Sequence, residues 1–168
     1  TSLPNKYDTF WGNDLSGKYY FSNSNTLYKV SKSDTVNYAN NNFGKISSVE
    51  TFNMLQTLIF YKENNAFVLL DSQFNEINSS IFSEINCEFL KPASQNELWF
   101  YDSLSQQIGL YNLNSKKIKF LSNPIKNISY SQSDYNYLYW IDTERNCFSI
   151  SKFGKIATLG KVNPYQKT

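Results

Sequence analysis

The chain has 168 residues, of which 18% are charged and 17% aromatic, with no His and a net charge of +2. Such a length suits one domain able to bury roughly 70% of its unfolded surface, and 13 Phe, 13 Tyr and 3 Trp exclude a disordered chain. Fifteen Lys against one Arg argue against nucleic-acid reading, the missing His removes every His-based catalytic or metal site, and no apolar run reaches the ~20 residues of a membrane-spanning helix.

Four units follow one another, at residues 6–40, 43–79, 83–121 and 125–160. In the first, residues 6–11 read as a strand. Tyr19-Tyr20-Phe21 is a second strand, apolar on consecutive positions and therefore expected to be buried on both faces. Thr26-Leu27-Tyr28-Lys29-Val30 alternates, offering one set of side chains to the core. Residues 36–39 form a more polar fourth strand. The second unit repeats the order with residues 45–51, Ile59-Phe60-Tyr61, a strand carrying Val68 and Leu70, and residues 74–78. The third has residues 84–90, Trp99-Phe100-Tyr101, Ile108 with Leu110, and residues 116–121. The fourth has residues 125–131, Tyr139-Trp140-Ile141, Asn146-Cys147-Phe148-Ser149-Ile150, and residues 155–159.

The four triplets stand 40 residues apart, and the columns eight and ten residues beyond each central aromatic are apolar in every unit. Four strands per unit without helical periodicity predict an all-β, β-propeller-like fold of four antiparallel four-stranded blades. A barrel or sandwich would use similar strands but would not need this recurrence. Four blades lie at the lower limit for propellers, so a small closed ring or an incomplete ring is expected. A first residue of Thr1 rather than Met fits either a processed product or an expressed fragment.

The stretches Phe43-Gly44-Lys45-Ile46 and Ile59 through Asp71, with Phe74-Asn75-Glu76-Ile77 and Asn96 through Leu110, resemble a family of exported Bacteroidota proteins. The resemblance runs from Tyr7 to Gly160 and rests on blade-framework residues. It implies a periplasmic or otherwise exported propeller without catalysis, in a ring that continues past this chain. Within that setting it implies a plug subunit of the type IX secretion machinery, closing or scaffolding an outer-membrane translocon barrel.

Read from the residues alone, the candidate chemistry is sparse. Asp71, Asp102 and Asp142 end strands and could offer oxygen ligands to Ca²⁺, but local side-chain turns explain them better. Glu84 and Glu88, about 13 Å apart along a strand, are too distant for a glycosidase pair. Lys117 and Lys119 share a face of a sheet edge, where lysines block aggregation. Cys87 and Cys147 read as small buried hydrophobes rather than a disulfide. No catalytic residue, cofactor or metal is assigned. Aromatics outside the repeat columns are the remaining candidates, and Trp11, Phe43, Phe82 and Tyr130, with Pro124 in a connecting loop, are the expected partner-binding residues. Taken with the setting that the resemblance implies, the expected function is a non-enzymatic interaction protein of the cell envelope, acting through loops at 40–44, 79–83 and 122–126. The alternative is a carbohydrate-binding propeller module.

Overall fold

The computed structural model describes residues 6–51, 55–94 and 96–163, and within them it contains sixteen strands and no helix. The first sheet is built from β1 (Thr9–Asn13), β2 (Tyr19–Asn23), β3 (Thr26–Val30) and β4 (Thr35–Ala39). The second holds β5 (Ser48–Thr51), β6 (Gln56–Tyr61), β7 (Ala66–Asp71) and β8 (Glu76–Ile81). The third holds β9 (Cys87–Pro92), β10 (Glu97–Asp102), β11 (Gln107–Asn112) and β12 (Lys117–Leu121). The fourth holds β13 (Ile128–Ser133), β14 (Tyr137–Asp142), β15 (Asn146–Ser151) and β16 (Ile156–Lys161). Each sheet pairs its strands in chain order and antiparallel throughout. These are four-stranded blades of a β-propeller-like, all-β fold. By contacts the chain divides into two compact units, ending at Ile85 and beginning at Asn86, each holding two blades.

In the first unit, Tyr20 and Leu27 of one blade pack with Ile59, Tyr61, Val68 and Leu70 of the next. In the second, Trp99, Tyr101, Ile108 and Leu110 pack with Leu138, Trp140 and Ile150. Most of these side chains are at or near complete burial, and each such aliphatic residue contributes about 1.5–3 kcal/mol relative to exposure. The outermost strands are far more open, and every residue of β16 is exposed. Lys117 and Lys119 flank half-buried Ile118 there, as the edge reading requires, and Lys119 also meets the Glu97 carboxylate at 3.0 Å.

Three expectations need correction. Each blade's first strand begins three residues later than expected, at Thr9, Ser48, Cys87 and Ile128. The residues before three of these strands belong to links between blades. The amides of Ile46, Phe82 and Ile125 donate to the carbonyls of Ser24, Asn65 and Gln106, and the Val162 amide does the same to Arg145. Those four acceptors share a left-handed backbone, with φ between 53° and 69°, at the turn between second and third strands of their blade. The same tie therefore recurs in all four blades.

The second correction concerns burial. β6 and β10 are buried on both faces, whereas β2 and β14 are buried on one: Tyr20 is 4% exposed but Tyr19 49%, and Trp140 is 2% exposed but Tyr137 41%.

The third concerns the repeat itself. Phe60 pairs with Phe67, but Phe100 pairs with Gly109, so the 40-residue column puts these two rings on non-equivalent faces. Measured between Asn65 and Gln106, the structural repeat is 41 residues. A strand that is apolar on every position conceals a one-residue slip, because either face satisfies the pattern.

Aspartates stabilise the connections. Asp71 accepts the Gln73 and Asn75 amides, Asp142 those of Glu144 and Asn146, and Asp102 those of Asn86 and Ser105. The contacts of Asp71 and Asp142, and that of Asp102 with Ser105, are local turns as favoured above, whereas the Asn86 amide ties Asp102 to the segment before β9. Asp14 goes further, accepting from Ser16 Oγ at 2.6 Å, the Ser16 and Lys18 amides, and the buried Tyr20 hydroxyl at 2.8 Å. Burial pushes its carboxyl up, but these donors outweigh burial and hold it below the ordinary 3.8. The ionised group therefore stabilises the fold above that value, and the contribution is lost as pH falls through the lower folded value. Asp14→Asn is expected to be about 2 kcal/mol less stable at pH 7. Denaturant melts across pH 2–7 should show the gap between the two proteins closing on the acid side.

Candidate functional site

The fourth blade carries a face that nothing in its own unit covers. Register places Tyr130 opposite Ile141, which is opposite Cys147, and Gln132 opposite Tyr139. These residues and the edge of Trp140 line a shallow hollow of about 280 Å³. Half-buried Ile141 and Cys147 supply an apolar floor. Tyr130, 48% exposed, donates its hydroxyl to Gln132 Oε1 at 3.2 Å. Tyr139 donates to Asp134 Oδ2 at 3.1 Å, and its ring lies 5.9 Å from that of Tyr137. Burial and the Asp134 carboxylate push the Tyr139 hydroxyl up from its ordinary value, so it remains a neutral donor. Apolar ring faces with polar tips form an amphipathic surface suited to a protein partner.

The remaining expected partner residues are placed differently. Trp11, on β1, is half-buried against the first unit's core and donates Nε1 to Ser22 Oγ at 2.9 Å. Phe43 meets Tyr61 edge-on at 5.4 Å. Phe82 is 6% exposed and packs on Phe67 at 5.4 Å. Pro124 is exposed in the link before Ile125, whose carbonyl accepts the Tyr101 hydroxyl at 2.6 Å. These four lie in blade frameworks and connections, and Tyr130 alone among the five belongs to the hollow. Glu84 and Glu88 are both exposed. Cys87 is buried and Cys147 half-buried, with no bridge between them.

A second feature escaped the sequence reading. In β3 the buried side chains are Leu27 and Lys29, while Tyr28 and Val30, the expected core columns, are only half-buried. Alternation placed Lys29 beside Leu27 from the start, so the signal was a cation in phase with a core leucine. Lys29 opens on a hollow of about 420 Å³ between the first two blades, shared with Lys18, Ser31, Asp34, Val36, Ser72 and Gln73.

No family model matches the chain, and no curated protein matches it in sequence. Solved structures share its fold. A catalytically inactive virginiamycin B lyase from Staphylococcus aureus, solved with quinupristin, is 16% identical, with a TM-score of 0.65 over 96% of this chain and 59% of its own. A Bacteroides caccae protein of unknown function is 7% identical, with a TM-score of 0.66 over 95% of this chain and 63% of its own. PorZ, an essential surface component of the type IX secretion system of Porphyromonas gingivalis, is 13% identical, with a TM-score of 0.58 over 95% of this chain and 23% of its own. The chain thus spans less than two thirds of each of these proteins. Similarity at such identities is one of fold, shared by a lyase and a secretion component alike.

Proposed function

We propose that the protein is a non-enzymatic interaction module of the cell envelope that docks a protein partner through the tyrosine face of its fourth blade. The observation that carries this reading is the open hollow walled by Tyr130 and Tyr139 over Ile141 and Cys147. Tyrosine rings with an apolar face and a polar tip are common anchors for protein partners. The narrower reading is an exported protein that occludes or scaffolds the outer-membrane barrel of a type IX secretion translocon. Its support is the family resemblance of the framework residues and the fold shared with PorZ. The non-enzymatic reading draws on a contrast. The similar lyase was solved as a histidine-to-alanine variant described as catalytically inactive, and this sequence holds no His to take such a part.

The test is capture from a Bacteroidota envelope extract, with bound proteins identified by mass spectrometry. The expected result is a stoichiometric outer-membrane barrel subunit, lost in a Tyr130→Ala, Tyr139→Ala double variant that keeps the wild-type circular dichroism. Retention of the barrel by the double variant would remove the tyrosine face from the account. Binding to immobilised glycans without any protein partner would favour a carbohydrate-binding module instead.

A further inference from the structure

Lys29 places a charge where the next two blades bury leucine and the fourth buries Ser149. Leu69 and Leu110 hold the same place on the third strand of the next two blades, 4% and 0% exposed, as register and spacing show. Lys29 is itself 6% exposed and lies on the Tyr20 face of its blade. Its ammonium donates to the Ser72 carbonyl and sits 4.9 Å from the centre of the Phe74 ring. Burial and the Lys18 charge both push the amine down, against the pull of Asp14, Asp71 and Asp34.

None of those carboxylates meets it as an ion pair, because each is committed elsewhere. Asp14 takes Ser16, Lys18 N–H and Tyr20. Asp71 takes the Gln73 and Asn75 amides, and Asp34 accepts the Ser31 hydroxyl at 2.7 Å. A buried cation with one carbonyl and one ring as partners is costly, whereas a leucine at the same place would not be. Departures of this kind from a local pattern mark functional positions.

The hollow in front of the amine has room for a small molecule. Its volume, about 420 Å³, falls within the range of ligand sites. Of the charged residues that line it, Lys18 and Lys29 outnumber Asp34 by one; Asp14 and Asp71, which also act on the amine, lie outside the lining and are engaged by the donors named above. A monoanion would balance that excess positive charge, while a phosphate dianion would face the Asp34 carboxylate. Most of the remaining lining is polar: the Ser72 hydroxyl and the Gln73 amide can bond hydroxyl groups, the Ser31 hydroxyl is held by Asp34, and Val36 is the apolar contact.

We propose that this hollow binds a polyhydroxylated monocarboxylate of uronic-acid type. Its carboxylate takes the Lys29 ammonium, Lys18 completes the charge pairing, and its hydroxyls meet Ser72 and Gln73. The site lies within the first two blades and is independent of the tyrosine face.

The experiment uses glucuronate as probe and glucose as the uncharged control, read by lysine side-chain NMR and by thermal unfolding. In the wild-type chain glucuronate is expected to shift the Lys29 signal and raise the melting temperature, while glucose does neither. Lys29→Met keeps the apolar stem and places a residue like Leu69 there. It is expected to fold with an unchanged or raised melting temperature and to bind glucuronate at least about tenfold more weakly, the loss of one charge-assisted bond. An unmoved Lys29 signal, an equal response to glucose, or undiminished glucuronate binding by Lys29→Met would each overturn the assignment. A melting temperature well below wild type in Lys29→Met would also overturn it, by showing that Lys29 serves the fold.

Discussion

Gly109→Val is expected to destabilise the protein by about 2–3 kcal/mol, although Gly109 sits in a strand whose backbone any residue can adopt. The cause is the ring across the ladder. Gly109 pairs directly with Phe100, and a Cβ at Gly109 would lie 2.2 Å from Phe100 Cζ and 2.7 Å from Cε1. Phe100 is fully buried, so relief would require its packed neighbours to move. Even Gly109→Ala should show part of this cost. Shortening the ring in a Phe100→Leu, Gly109→Ala double variant should recover stability relative to the sum of the single changes, because the two residues compete for one volume. Urea melts of the four proteins measure that coupling. Additive effects would mean that the ring does not rest on Gly109.

Trp99→Ala carries the larger expected loss, about 3–5 kcal/mol. Trp99 is fully buried, meets Phe120 edge-on at 6.1 Å, and joins Ile108, Leu110, Leu138 and Trp140 in one cluster. Two blades share that cluster, so the cavity cannot be closed by shifting a single side chain. Trp99→Phe should cost far less. It keeps an aromatic ring and removes a buried Nε1 that has no hydrogen-bond partner, and that removal offsets part of the lost contact area. Equal losses in the Ala and Phe variants would contradict the packing described.

Blade number, strand order and the solvated outer edge could be read from the spacing of Tyr20, Phe60, Phe100 and Trp140, since doubly buried strands carry apolar runs that turn residues delimit. Facing could not. Runs such as Leu58-Ile59-Phe60 and Trp99-Phe100-Tyr101 satisfy either pleat, so the shift to 41 residues left no trace in hydrophobicity. Strand starts were missed for a related reason: Ile46, Ile85 and Ile125 are apolar like strand residues, yet they serve blade-to-blade links. Of the expected contact residues, Phe82 and Phe43 show why aromaticity outside a repeat column is a weak guide, because links between blades need buried rings as well. Lys29 was legible in principle, but the apolar columns through Tyr28 and Val30 point to the opposite pleat of β3 as the core face. Tyr130 shows the reverse, since its exposure follows from a blade face that sequence alone could not distinguish from a covered one.

Hydrogen exchange followed residue by residue tests the blade architecture most directly. If paired middle strands are buried on both faces, amides at 67–70 and 108–110 should exchange most slowly, and those of β16 fastest among the strands. Protection in β16 equal to that at 67–70, or rapid exchange at 108–110, would contradict the architecture on which every later conclusion rests.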